Sequence, residues 1–370
     1  MLQQIETKYK DSSSSLGVEI TDVNLNEKLT FETIQKIRSV WLDKGVAIFP
    51  NQDLTHDEFQ NFSLEFGNFG DDPFLGGLDE KPNIVVTTGM IADAVSNIAE
   101  DHVNIKVLMG SGVDPHAYRQ TRSDIVSLAN ADLVLWNGLY LEAQMEEFLL
   151  ELANDRPVVA VAERVPNNLL IGSDEYDGRY DPHLWMDPRI WSYVVLNVRD
   201  ALTEILPEEK TRISDNTETY LKKVERLQNY ANRVLASVPQ KNRVLLTSHD
   251  AFNYFGQAYG YNVIGIQGIS TESEAGLKRM SELVDLIIEK NVQAVFVETS
   301  VSDRNIRALV EGVRAKGYEV SIGGELFSDA MGEPGSYEGT YIGMIDSNST
   351  TIATALGGDA PTAGMLNKLN

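Results

Sequence analysis

From residue 84 onward, short β-branched runs alternate with amphipathic helical stretches, and the alternation comes in two blocks. In the first block NIVVTTG precedes IADAVSNIAE, NIKVLMG precedes TRSDIVSLANA, DLVLWNG precedes LEAQMEEFLLELA, and PVVAVAE follows. After residue 243 come RVLLTSHD with AFNYFGQAYG, YNVIGIQG with EAGLKRMSELVDLIIEKN, AVFVETS with DRNIRALVEGVRAKG, and YEVSIGGELF. Continuous apolar runs suit strands buried on both faces. Helices between them allow parallel pairing, so each block predicts an α/β lobe with helices on both sides of a parallel sheet. Residues 207–239 separate the blocks. Inside its terminal prolines this stretch has helical periodicity and neither Pro nor Gly. It reads either as one helix about 45 Å long, at 1.5 Å per residue, or as two helices broken near Asp215 and Asn216.

Before residue 80 the texture differs. Residues 28–66 predict a helix over FETIQKIRSVWLDKG, a short strand over 46–49, and a second helix after Thr55. Thr55 with Glu58 three residues on has the pattern of a capping box. Residues 67–83 are rich in Gly, Asp and Pro and read as a linker.

The formal net charge of −24 over 370 residues argues against nucleic acid or an anionic membrane surface as a partner. No uncharged apolar run is long enough to span a bilayer, so direct membrane insertion is not expected. The N-terminus, MLQQIETKYKDSSSSLGVEI, has neither an apolar core nor a small-residue cleavage site. On that reading the chain as written carries no export signal and is cytoplasmic. With no cysteine, thiolate metal sites and cysteine nucleophiles are excluded.

That leaves histidine as the notable donor, and there are five: His56, His102, His116, His183 and His249. The tripeptide Asp-Pro-His occurs twice in the first block, at 114–116 and 181–183. His249 ends the first strand of the second block, in Ser-His-Asp. Ligands of open parallel sheets bind beyond the carboxyl ends of the strands, and the pattern puts His116 and His249 there. Neutral imidazole binds borderline divalent metals, and its second nitrogen needs an orienting partner. Asp114, Asp181 and Asp250 are candidates by adjacency, and the prolines stiffen the first-lobe loops. A single strand-end histidine is more often a structural hydrogen-bonding residue. The repeated tripeptide brings ligation level with that role, and periodicity goes no further.

These segments, together with VLMGSGVDPHAY, DPHLWMDPRIWSY, SHDAFNYFGQAYG and GGELFSDAMGEPGSYEGTYIGM, make residues 84–357 resemble a known family. It comprises the metal-binding solute-binding proteins of zinc and manganese ABC importers, the TroA/ZnuA-like group. The resemblance implies an α/β protein of two Rossmann-like lobes, residues 84–206 and 240–357, joined by one long backbone helix at 207–239, with residues 358–370 as a tail. It implies one Zn²⁺ or Mn²⁺ held in the interlobe cleft by His116, His183, His249 and Asp329. Asp329, in LFSDAM, is named by the resemblance alone, and Glu298 in VFVETS is a candidate supporting residue. The implied partner is the permease of an ABC importer, the implied location periplasmic or cell-surface, and the implied state monomeric. The role is capture and delivery, without catalysis. Three imidazoles and a carboxylate suit Zn²⁺ by softness and affinity order. However, 166–180 lacks the His-rich loop that zinc members often carry.

Residues 1–80 resemble instead the start of taurine-dioxygenase-like Fe(II)/2-oxoglutarate enzymes. That family needs a His-x-Asp motif in its iron triad, and this chain has none. The segment is therefore expected to be a truncated α+β piece without iron chemistry, and an oxygenase function is the disfavoured alternative.

Overall fold

The computed structural model describes residues 8–11, 17–21, 23–66, 81–173 and 178–369. The chain divides into two units, Met1–Glu80 and Lys81–Asn370. The linker expected at 67–83 lies almost wholly outside the described residues.

In the first unit β1 (Lys8–Asp11), β2 (Val18–Thr21), α1 (Phe31–Lys44), β3 (Ala47–Ile48) and α2 (His56–Leu64) follow in order. The three strands form one sheet, antiparallel between β1 and β2 and parallel between β2 and β3. Val18, Ile20, Val23, Leu25 and Ile37 form its core. Thr55 and Glu58 make the capping box at the start of α2, each side chain taking the other's backbone N–H, which satisfies two otherwise orphaned donors.

In the second unit the first lobe runs β4 (Asn83–Thr88), α3 (Gly89–Ala99), β5 (Asn104–Met109), α4 (Arg122–Ala129), β6 (Leu133–Trp136), α5 (Glu146–Leu152) and β7 (Val158–Ala160). Its four strands pair in the order β5-β4-β6-β7, all parallel. Side chains alternate between faces along a strand, and β4 shows the result. Ile84 and Val86 enter the main core, while Val85 enters a separate outer cluster with Leu128, Trp136 and Leu149.

Next come α6 (Pro188–Ile205) and α7 (Lys210–Ala236). Of the two readings left open by the sequence, the continuous one describes α7: 27 residues, about 40 Å, preceded by a 3-10 turn at Pro207–Glu209. The helix touches both lobes. Asn216 donates to the carbonyl of Ile98 and Tyr220 to Asp93, both on α3. Near its other end the Tyr230 hydroxyl meets that of Thr350, 2.8 Å away. Ile213, Tyr220, Val224, Leu227, Val234 and Leu235 are buried along its length.

The second lobe contains β8 (Val244–Thr247), α8 (Asn253–Tyr259), β9 (Asn262–Gly265), α9 (Leu277–Lys290), β10 (Ala294–Glu298), α10 (Arg304–Ala315), β11 (Ser321–Leu326) and α11 (Tyr341–Ala355). β8 pairs in parallel with β9, and β10 with β11, while β8 and β10 run alongside each other. Face alternation recurs: Leu245 and Phe296 join the main core, and Leu246 and Val295 join a cluster with residues of α9 and α10. Thr351 of α11 packs close against Gly324, where a Cβ would come within 2.5 Å of the Thr351 methyl and φ is +147°. Only glycine accepts both conditions. Asp346 of α11 accepts the backbone N–H of Met365, which ties the tail to the helix, and also the hydroxyl of Tyr337. The fold is thus α/β with two lobes and parallel sheets.

Candidate metal centre

The four candidate side chains arrive at one place from four loops, three of which follow a strand's carboxyl end. His116 follows β5, in the loop before α4. His183 precedes the short turn Leu184–Met186 that leads into α6. His249 lies two residues past Thr247, the end of β8, and Asp329 three past Leu326, the end of β11. All four are buried. Among the described residues they are the one group of three or more His, Asp or Glu that offers converging donors, with one ligand atom from each within 4.8 Å of the others. His56 is exposed on α2, and His102 pairs with Arg212 and Glu209 away from this point.

The Nε2 atoms face inward. His116 Nε2 lies 3.2 Å from His183 Nε2. Asp329 presents Oδ1 at 3.3 Å from His183 Nε2 and Oδ2 at 3.1 Å from His249 Nε2, with His116 Nε2 3.9 Å away. Donors about 2.0–2.1 Å from a tetrahedral ion stand about 3.3 Å apart, close to these separations. Both Asp329 oxygens and His249 Nε2 are buried without a hydrogen-bond partner of good geometry. Such orphans are costly in a protein interior, and a divalent cation satisfies them together.

The outer sides of the rings are held. His183 Nδ1 meets Asp181 Oδ1 at 2.7 Å, and the same oxygen accepts the His183 backbone N–H at 2.9 Å. His249 Nδ1 lies 2.5 Å from Glu298 Oε2, while Glu298 Oε1 accepts the His249 backbone N–H. These contacts fix the rings with Nε2 inward. Adjacency therefore names the right ring partner for His183 only. The ring partner of His249 is Glu298, the last residue of β10, and Asp250 turns to Asn253 instead. Asp114 takes the backbone N–H of His116.

Protonation follows these surroundings. Burial drives His116 down to about 3. Burial also pulls on His183, but the carboxylates of Asp181 and Asp329 outweigh it and leave it at about 9. His249 is likewise raised well above its usual value, since Asp329 and Glu298 overcome its desolvation. Asp329 is held well below the carboxylate range because the His249 and His183 imidazoles overcome its burial. The carboxylates around them push His183 and His249 toward the charged form, and a divalent cation would displace any proton they hold.

Side chains also tie the lobes together here. Trp185 Nε1 donates to the carbonyl of Ser328, and the Tyr341 hydroxyl donates to the carbonyl of Trp185. The result is a buried, nitrogen-rich cluster of converging donors between two α/β lobes, the architecture of a solute-binding protein. Comparison gives the family. A family model described as zinc-uptake complex component A, periplasmic, matches residues 84–355, and the chain belongs to that family. It is 46% identical over 278 residues to the zinc-binding protein TroA of Treponema pallidum, covering 75% of this chain and 90% of that protein. It is 44% identical over 298 residues to the manganese-binding lipoprotein MntA of Bacillus subtilis, covering 80% and 96%. A solved structure of periplasmic zinc-binding protein TroA from Treponema pallidum superposes with a TM-score of 0.73 at 46% identity, covering 75% of this chain and 99% of that one. The family match begins at residue 84 and says nothing about residues 1–80.

Proposed function

We propose that this protein captures a single Zn²⁺ or Mn²⁺ ion for an ABC-type importer, using His116, His183, His249 and Asp329 as ligands. The observation that carries the reading is the convergence of three Nε2 atoms on a buried carboxylate whose two oxygens have no other well-placed partner. Relatives at similar identity are named for zinc and for manganese, so relatedness does not choose the metal. The donor set itself favours Zn²⁺, which binds nitrogen ligands more tightly than Mn²⁺.

Four protein ligands leave no open position for an activated water, and the metal is cargo. In this reading residues 84–206 and 240–357 are the two lobes, 207–239 the backbone helix and 358–370 a tail. The loaded protein acts as a monomer in the periplasm or on the cell surface and presents its ion to a membrane permease. Residues 1–80 are a truncated dioxygenase-like segment that takes no part, in keeping with the exposed position of His56. Elemental analysis of the full chain, purified without added metal and then loaded, tests this. One ion per chain is expected. Zero, or a stoichiometry unaffected by removing Asp329, overturns the reading.

A further inference from the structure

The two Asp-Pro-His turns share more than sequence. In each, one carboxylate oxygen accepts the backbone N–H of its own histidine at 2.9 Å, Asp114 Oδ1 for His116 and Asp181 Oδ1 for His183. In each, the other oxygen takes a hydrogen bond from the opposite lobe. Thr271 Oγ1, in the loop between β9 and α9, donates to Asp114 Oδ2 at 2.5 Å. Asn253 Nδ2, at the start of α8, donates to Asp181 Oδ2 at 3.1 Å, and its amide nitrogen also donates to Asp250 Oδ2 at 3.0 Å. Neither Thr271 nor Asn253 reaches the cage itself. Both act on the first-lobe histidines through a carboxylate that already grips the histidine's backbone.

We propose that Thr271 and Asn253 are positioning residues through which the second lobe sets the first-lobe ligands His116 and His183, so that the cage reaches its tight geometry only when the lobes meet. The inference rests on the proposed metal-capture reading and adds residues to it. When the lobes part, both Asp-Pro-His carboxylates lose a donor at once, and the turns that carry His116 and His183 relax together. Retention of the ion then depends on two polar contacts remote from it. Asn253 has a further duty: its amide bridges Asp181 of one lobe and Asp250 of the other, holding two acidic groups together.

The test uses the full chain loaded with Zn²⁺ alone. Release to excess chelator is followed by stopped flow in wild type, Thr271→Val, Thr271→Ser and Asn253→Ala. Thr271→Val and Asn253→Ala should each still load one ion but release it about 10- to 100-fold faster, the size expected for losing a hydrogen bond to a charged group. Association rates should change little, since such contacts act mainly on dissociation. Thr271→Ser keeps the hydroxyl and should release at the wild-type rate. Melting of the metal-free variants separates positioning from packing: its midpoint should drop less than that of the loaded protein. Wild-type release from both variants overturns the inference. So does equal destabilisation of the metal-free and loaded forms, or a Thr271→Ser variant as leaky as Thr271→Val. If the wild-type chain takes up no Zn²⁺, it is the capture reading that fails, and this inference falls with it.

Discussion

The two lobes support their ligands in different ways. In the second lobe His249 stands two residues beyond a strand, and both its backbone N–H and its Nδ1 are held by Glu298, itself the last residue of β10. Ligand and orienting partner share one lobe and two strand ends. In the first lobe His116 and His183 sit on loops, and the carboxylates that steady them take their second hydrogen bonds from the other lobe. One half of the cage is built by its own sheet, while the other is completed across the seam. Glu298, on a strand, is more exactly placed than Asp114 and Asp181 on their loops, which makes the second lobe the fixed jaw and the first lobe the half that adjusts.

The largest effect should come from the fixed jaw. His249→Ala should weaken Zn²⁺ binding by on the order of 1,000-fold, because it leaves Asp329 and Glu298 as buried carboxylates with one imidazole fewer. His116→Ala should cost less, and competition titration against a chelator of known affinity would measure both. Equal losses would break the comparison.

A smaller loss is expected from Glu298→Gln, which keeps the shape but removes the charge that orients His249. Such partners typically contribute 10- to 100-fold in metal affinity, and the same titration reads it. If the second lobe is the anchor, Glu298→Gln should weaken binding at least as much as Thr271→Val.

Proton linkage sharpens the picture further. His183 in the metal-free protein lies at about 9 against 6.5 when unfolded, so its contribution to stability is fully present below pH 6.5 and disappears as pH rises through about 9. His116 has the opposite sign. Driven down to about 3, it contributes stability above pH 6.5 that is lost as pH falls toward 3. The metal-free protein should therefore melt at lower temperature at pH 9 than at pH 6.5. Zn²⁺ affinity should instead rise with pH over that range, since His183 and His249 must give up protons to bind. Calorimetry at pH 7 in buffers of different ionisation enthalpy should report proton release on loading. The smallest effect belongs to His56→Ala, on the exposed face of α2, which should leave affinity unchanged in the chelator titration.

Local signals were legible in the sequence. The Thr55–Glu58 capping box follows from a four-residue pattern, and the strand-helix rhythm names nearly every element of both lobes. Strand-end placement marked His116 and His249 as candidates and the repeated tripeptide marked His116 and His183, while a structural role stayed open for each without the family resemblance. Asp329 was not legible from the residues, being one acid among 55 with no local feature to mark it; only the family resemblance named it. Adjacency pointed to Asp250 as the partner of His249, but a strand end brings Glu298 there from 49 positions away. Thr271 lies 157 positions from Asp114 and Asn253 lies 72 from Asp181. Pairings at that separation are created by folding and leave no periodic trace.

The long rod α7 has a consequence for how the molecule works. Buried along much of its length and bonded to helices of both lobes, it is the reverse of a slack tether. Two halves on a floppy string would have to find each other anew for every ion, losing orientational freedom each time. On the proposed capture reading that search is completed once, during folding, and an arriving cation meets two halves already facing each other.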